Sequence, residues 1–146
     1  MAGVVFFFEE YEIDVYSGRR IDLDAWNYAI RAAGDIDRII IINRTNQSIK
    51  GIGGDITCET ETALPVLNGS VVFVVCPWDN CAGSMVSLWN FNHKVDWYVF
   101  GPSEGWDDKQ CKDGIFIPQA GKGALHALHI GAVVMMHRFH VIRGAV

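Results

Sequence analysis

Apolar and polar positions fall in blocks along this chain. "GVVFFF" (3–8) is an unbroken apolar run of strand length, and "DRIIIINRT" (37–45) is a second, β-branched throughout its centre. "SVVFVVCPW" (70–78) reads as a third strand stopped at Pro77, "VDWYVFG" (95–101) as a fourth and "GIFIPQ" (114–119) as a short fifth. Between the first two, "LDAWNYAIRAAG" places Leu23, Trp26, Ala29, Ile30 and Ala33 at helical spacing, with Asp22 as N-cap and Gly34 as the stop. "NQSIKGIGGDITCETETALP" (46–65) is polar and glycine-bearing, and reads mostly as loop with room for one short helix. "AGSMVSLWNFN" (82–92) fits a short helix, and "GALHALHIGAVVMMHRFHV" (123–141) a long apolar one. Strands that are apolar throughout, separated by helices, argue a parallel sheet covered on both faces. The expectation is one α/β domain over residues 1–146, with ligands outside the carboxyl ends of the strands, where Gly101–Gly105 and "NRTNQ" lie.

Composition narrows this further. Half of the 146 residues are hydrophobic and 20% charged, enough apolar mass for a sizeable core. No apolar run reaches the roughly 18–20 residues needed to cross a bilayer. The opening "MAGVVFFFEEYE" turns acidic at once and reads as a strand, not a signal peptide, so a cytoplasmic location without membrane contact is expected. The net charge of −5 disfavours a strong nonspecific grip on nucleic acid but leaves room for local basic patches, of which "SGRR" is the most concentrated. Cys58, Cys76, Cys81 and Cys111 include no CxxC pair, so free thiols are expected and no metal site is assigned.

Few motifs carry chemistry by themselves. "KGIGGD" (50–55) and "GKG" (121–123) match neither the Walker loop nor the dinucleotide fingerprint. His126 and His129 are neighbours on one helical face, with His137 and His140 further along, and no third metal ligand is placed beside them. Trp78, Trp89 and Trp97 read as core or dimer contacts. Trp106, in a polar loop, could stack on a base.

Taken together, "YVFGPSEGW" and "GIFIPQAGKGALHALHIGAVVMM" resemble the carboxyl-terminal part of the SPOUT superfamily, and within it the SpoU-type RNA 2′-O-methyltransferases. The matching residues are Ser103-Glu104-Gly105, Ile117-Pro118 and Leu125, with Gly131 to Val134 continuing the helix. The resemblance implies an α/β fold whose carboxyl-terminal segment is tied in a deep trefoil knot, an exception to the general absence of knots. It implies S-adenosylmethionine bound within the knot by Phe100, Gly101, Pro102, Glu104, Gly105, Ile117, Gln119, Leu125 and His126. It also implies a homodimer, and a tRNA or rRNA substrate methylated on a ribose 2′-oxygen.

The chain departs from the family pattern at three places. Two residues, Pro102 and Ser103, separate glycine from glutamate where the family has one. Ala124-Leu125-His126 stands where the family has Ser-Leu-Asn. Asp22 and Tyr28 stand where it has Asn and the reactive-site Arg. Arg19, Arg20 or Arg44 from another loop could replace that arginine, and His126 could serve as base near neutral pH beside Glu104. Two other readings stand beside this one: a SPOUT-fold cofactor-binding or structural dimer without methyl transfer, and an α/β nucleotide-binding domain similar to the family over its last segment alone.

Overall fold

The computed structural model describes residues 2–8, 31, 35–44, 57–61, 63–79, 81–101, 112–119, 121 and 127–144. Seven strands form one sheet: β1 Ala2–Phe8, β2 Ile36–Asn43, β3 Thr57–Glu61, β4 Val71–Val75, β5 Met85–Ser87, β6 Trp97–Phe100 and β7 Gly114–Phe116. Their spatial order is β3-β2-β1-β6-β4-β7-β5, and every neighbouring pair is parallel. A single-turn 3₁₀ helix, Leu88–Asn90, follows β5, and helix α1, Ala127–Ile142, comes last. Among the described residues no helix is long and apolar enough to cross a membrane.

The unbroken apolar runs form the central strands because both faces of the sheet are dry. Alternate residues of one run feed two separate cores. Val4, Phe6, Ile39, Ile41, Val72, Val74, Tyr98, Phe100 and Ile115 face helix α1, which contributes Val134 and Met135. Phe6 and Phe100 stack there at 4.6 Å, joining β1 to β6. Val5, Phe7, Ile40, Ile42, Phe73, Val75, Trp97 and Val99 make the opposite core. Burying a residue such as Val134 fully contributes about 1.5–3 kcal/mol, so α1 is held mainly by that narrow contact stripe.

Two segments differ from the sequence expectation. Residues 57–61, expected within a loop, form β3, an edge strand paired only with β2. Its Thr-Cys-Glu-Thr-Glu sequence has no apolar pattern because an edge strand needs none, and Glu59 accepts a 2.6 Å bond from Arg38 of β2. Residues 85–87, expected in a helix, form β5, and the helical part shrinks to Leu88–Asn90. There Ser87 Oγ accepts a bond from the Trp89 amide, in the manner of an N-cap. The thiols differ as well: Cys76 is free, but Cys81 is disulfide-bonded. All of the expected helix over 22–33 except Arg31, which is helical, and all of residues 46–56 lie outside the described residues.

The position of β7 shapes the sheet's far end. It lies between β4 and β5, so the connector 76–84 has to cross β7 to reach β5. It crosses on the face opposite α1, where Cys81 packs against the second core. The amides of Gly83 and Gly114 bond the carbonyls of Lys112 and Ser84, stitching connector to strand. A Cβ at Gly114 would press on Cys81 Sγ, which is why the crossing needs glycine there.

Gly3 shows the same constraint at the sheet centre. Trp97 pairs with Gly3 in register and lays its indole across it, while Arg38 stands 5.2 Å from that ring and the indole N–H donates to the Asn68 carbonyl. A Cβ at position 3 would overlap the ring. Gly3→Ala is therefore expected to cost about 2 kcal/mol by overpacking, read as a lower denaturant midpoint with an unchanged m-value.

Candidate functional site

Chain direction along the sheet reverses between β1 and β6. From β1 the chain moves outward to β2 and β3, whereas from β6 it moves the other way to β7. In a parallel sheet such a reversal opens a crevice at the carboxyl ends of the two strands, the usual place for a ligand. Gly101 stands there, directly after β6. By register, Val74 pairs with Phe100 and Val75 with Phe116, so Gly101, Cys76 and Ile117 leave the sheet side by side.

This edge gathers several of the residues singled out by sequence. Ile117 and Gln119 are half-buried, and Gln119 Nε2 donates to the Gly121 carbonyl at 3.2 Å. Arg44, just past β2, is exposed at the same edge, with its guanidinium 4.5 Å from the Phe7 ring. Phe100 is placed differently from a pocket wall: its ring is 1% exposed and committed to the core against Phe6, so only its backbone faces the edge. Arg20, Pro102, Glu104, Gly105, Leu125 and His126 lie outside the described residues, as do Trp106 and Cys111.

The turn after β4 was not among the sequence candidates. Asp79 braces it twice: its carboxylate accepts from the Cys76 amide at 2.8 Å, and its own amide donates to the Cys76 carbonyl at 3.0 Å. Pro77 sets the turn's first corner, and Trp78 is 49% exposed at the second, outside the chain's own core. The Cys76 thiol is pushed up to about 11 by burial and by the Asp79 charge, so it stays protonated and unreactive near neutrality.

The opposite edge holds a cluster with a different character. His93 is 3% exposed and has φ 59°, a left-handed conformation forced by its place in the loop before β6. Its Nδ1 lies 2.6 Å from Tyr98 Oη and its Nε2 2.7 Å from His137 Nδ1 on α1. The Arg138 side chain, 5% exposed, donates at 3.4 Å to the Asp35 carbonyl, its charge acts on the Tyr98 hydroxyl, and its Nε has no partner. A neutral His93 donates from one ring nitrogen and accepts at the other, so it bridges Tyr98 and His137 in either tautomer, whereas a charged His93 would have to donate to both. Trp89 closes the outer side, its ring edge-on to His137 at 5.4 Å. Burial holds the Tyr98 hydroxyl well above its ordinary range, although Arg138 pulls the other way. From sequence, His137 was visible as one of the carboxyl-terminal histidines, but nothing in the pattern around His93 announced its partner.

That network ties α1 to the sheet and titrates in a definite direction. Burial first, then the charges of His137 and Arg138, push His93 from 6.5 down to about 4. His137 is lowered too, by burial and by His140. Between pH 6.5 and 4 the unfolded chain takes up protons that the folded one refuses. The network's contribution is therefore complete above pH 6.5 and is lost as pH falls toward 4, a loss on the order of 3 kcal/mol. The melting temperature is expected to fall over that window, and His93→Gln, which keeps two hydrogen-bonding groups without titrating there, to flatten the slope.

No family model matches this chain, and no curated protein matches it. Among solved structures, one described as giving structural insights into the 2-OH methylation of C/U34 on tRNA superposes with a TM-score of 0.62 at 14% identity. The superposition covers 99% of this chain and 97% of the other. At that identity the likeness is one of fold, and it runs through the whole chain: this parallel α/β domain has the architecture of that structure from end to end.

Proposed function

We propose that the chain is an S-adenosylmethionine-dependent RNA methyltransferase of the SPOUT type, acting on a ribose 2′-oxygen of tRNA or rRNA. The observation that carries this reading is the end-to-end fold likeness to a structure concerned with 2-OH methylation on tRNA. The motif resemblance at Ser103-Glu104-Gly105, Ile117-Pro118 and Leu125 supports it independently. The insertion of β7 between β4 and β5 supports a knotted arrangement. The connector 76–84 crosses β7 on one face, and α1, which follows β7, lies on the other.

The carboxyl edge fits the cofactor in the features it presents. Gly101 leaves the crevice free of a side chain, so backbone groups can approach an adenine edge, and Ile117 supplies a half-buried apolar wall. In the proposed site Gly101, Pro102, Glu104, Gly105, Ile117, Gln119, Leu125 and His126 hold the cofactor, and Phe100 contributes backbone only. When bound, the cofactor supplies an activated methyl group, so the chain's task is alignment and proton removal. His126 accepts the 2′-hydroxyl proton as the oxygen attacks, Glu104 orients that imidazole, and Arg44 or Arg20 holds the neighbouring phosphate.

The proposed assembly is a homodimer through α1. Large apolar side chains gathered on the outer side of a helix mark a surface for association. Here the side turned from the sheet leaves Val133, Met136, Phe139 and Ile142 exposed, with Trp89 alongside. The replacement of the family's Asn and Arg by Asp22 and Tyr28 favours the second reading, a cofactor-binding dimer that transfers no methyl group.

Calorimetry is expected to show S-adenosylmethionine binding, and the purified protein to incorporate labelled methyl groups into total RNA. His126→Ala is expected to lower kcat, measured at saturating cofactor, by about 100-fold or more. Binding without incorporation selects the second reading, and absence of binding removes both. Sedimentation equilibrium is expected to give a dimer that Met136→Glu converts to a monomer of unchanged secondary structure.

A further inference from the structure

We infer that Trp78 is a stacking platform for an unpaired base of the RNA, standing beside the methyl-transfer site at the carboxyl edge of the sheet. The inference rests on the methyltransferase reading and goes beyond it by naming the residue that grips the substrate.

Three observations lead there. The first is position. Trp78 follows β4, the strand paired with both β6 and β7, so its turn departs from the sheet beside Gly101 and Ile117. The second is presentation. An indole gains by burying its apolar surface, yet this one is 49% exposed on a turn that cannot easily fold back. Pro77 and the two Asp79 bonds fix its backbone. Trp89, also strongly exposed among the described residues, differs in position: it lies beside His137, on the side where α1 is uncovered.

The third is charge. A chain of net charge −5 draws little affinity from counterion release, which otherwise dominates nucleic-acid binding. Substrate affinity then has to come from contacts indifferent to net charge. Base–aromatic stacking is such a contact, and it suits single-stranded or loop RNA whose bases can be splayed out. Arg44, exposed at the same edge, provides local positive charge for the adjoining phosphate.

The test uses the full chain, Trp78→Ala and Trp78→Phe. The readouts are the Kd for a labelled oligoadenylate, the Kd for the same oligomer with abasic internal positions, and the Kd for S-adenosylhomocysteine. Because Trp78 is half exposed, the melting temperature is expected to stay near that of the parent. Trp78→Ala is expected to weaken oligoadenylate binding roughly tenfold and Trp78→Phe to restore most of it. The abasic oligomer should bind the parent and Trp78→Ala equally weakly, and the affinity for S-adenosylhomocysteine should not change. Unchanged oligoadenylate binding by Trp78→Ala overturns the inference, as does an equal loss on the abasic oligomer. A loss confined to S-adenosylhomocysteine assigns the indole to the cofactor's adenine and overturns it as well. If the parent binds oligoadenylate through Trp78 but transfers no methyl group to total RNA, the proposed activity falls while the stacking role stands.

Discussion

The rest of this molecule depends on a sheet that is dry on both faces. A strand in such a sheet can carry no polar side chain toward either core, so the central strands are written almost wholly in Val, Ile, Phe, Trp and Tyr. Polar chemistry is thereby confined to the two rims where the chain enters and leaves. At the amino rim the segments are sewn together: the Ala2 and Gly3 amides bond the Asp35 and Asp96 carbonyls, and Asp96 takes both the amide and the hydroxyl of Ser70. At the carboxyl rim Gly101, Cys76 and Ile117 emerge together. The contrast between the two rims follows from the burial pattern before any particular reaction is considered.

Among the described residues, the His93 network is where polar groups reach inward, and it shows what that requires. Tyr98 is the polar residue within the apolar run of β6, and its hydroxyl is tolerated because His93 bonds it. The arrangement joins helix, loop and strand through contacts that no single element could provide. The exposed side of α1 and the buried network lie on the same helix. Any partner covering that helix would press on His137 and, through it, on His93.

How much of this was legible in the chain varies with the physics of each element. The runs around Phe6, Ile41, Val74 and Val99 announced themselves because burial on two faces demands continuous apolar sequence. β3 did not, since an edge strand may be polar, and Glu59 beside Thr60 looks like loop until Arg38 is found across from it. β5 is three residues long, too short for a period to show, and only β7 makes it a strand. At the candidate site, Gly101 and Ile117 could be read from glycine-rich and Ile-Pro punctuation at strand ends. Trp78 could not, because exposure is a property of the folded turn: a tryptophan after a strand reads the same whether it faces core or solvent. His93 was hidden for a related reason, since its partners are five and 44 residues away.

The placement of β7 has a kinetic side. β4 and β5 do not pair with each other; both pair with a strand that arrives about 30 residues after the second of them has been made. Until β7 is seated, β5 has no sheet to join and the connector before it spans a gap. No local contact can stand in for that step, and long-range parallel pairing is intrinsically slow because the chain loses loop entropy before it gains contact energy. The half of the sheet beyond β4 is therefore expected to form late in folding and to close as a unit. The strand edge of β4 stays open meanwhile, and during synthesis a nascent chain held there would expose "VVFVV" to its neighbours for as long as β7 is delayed.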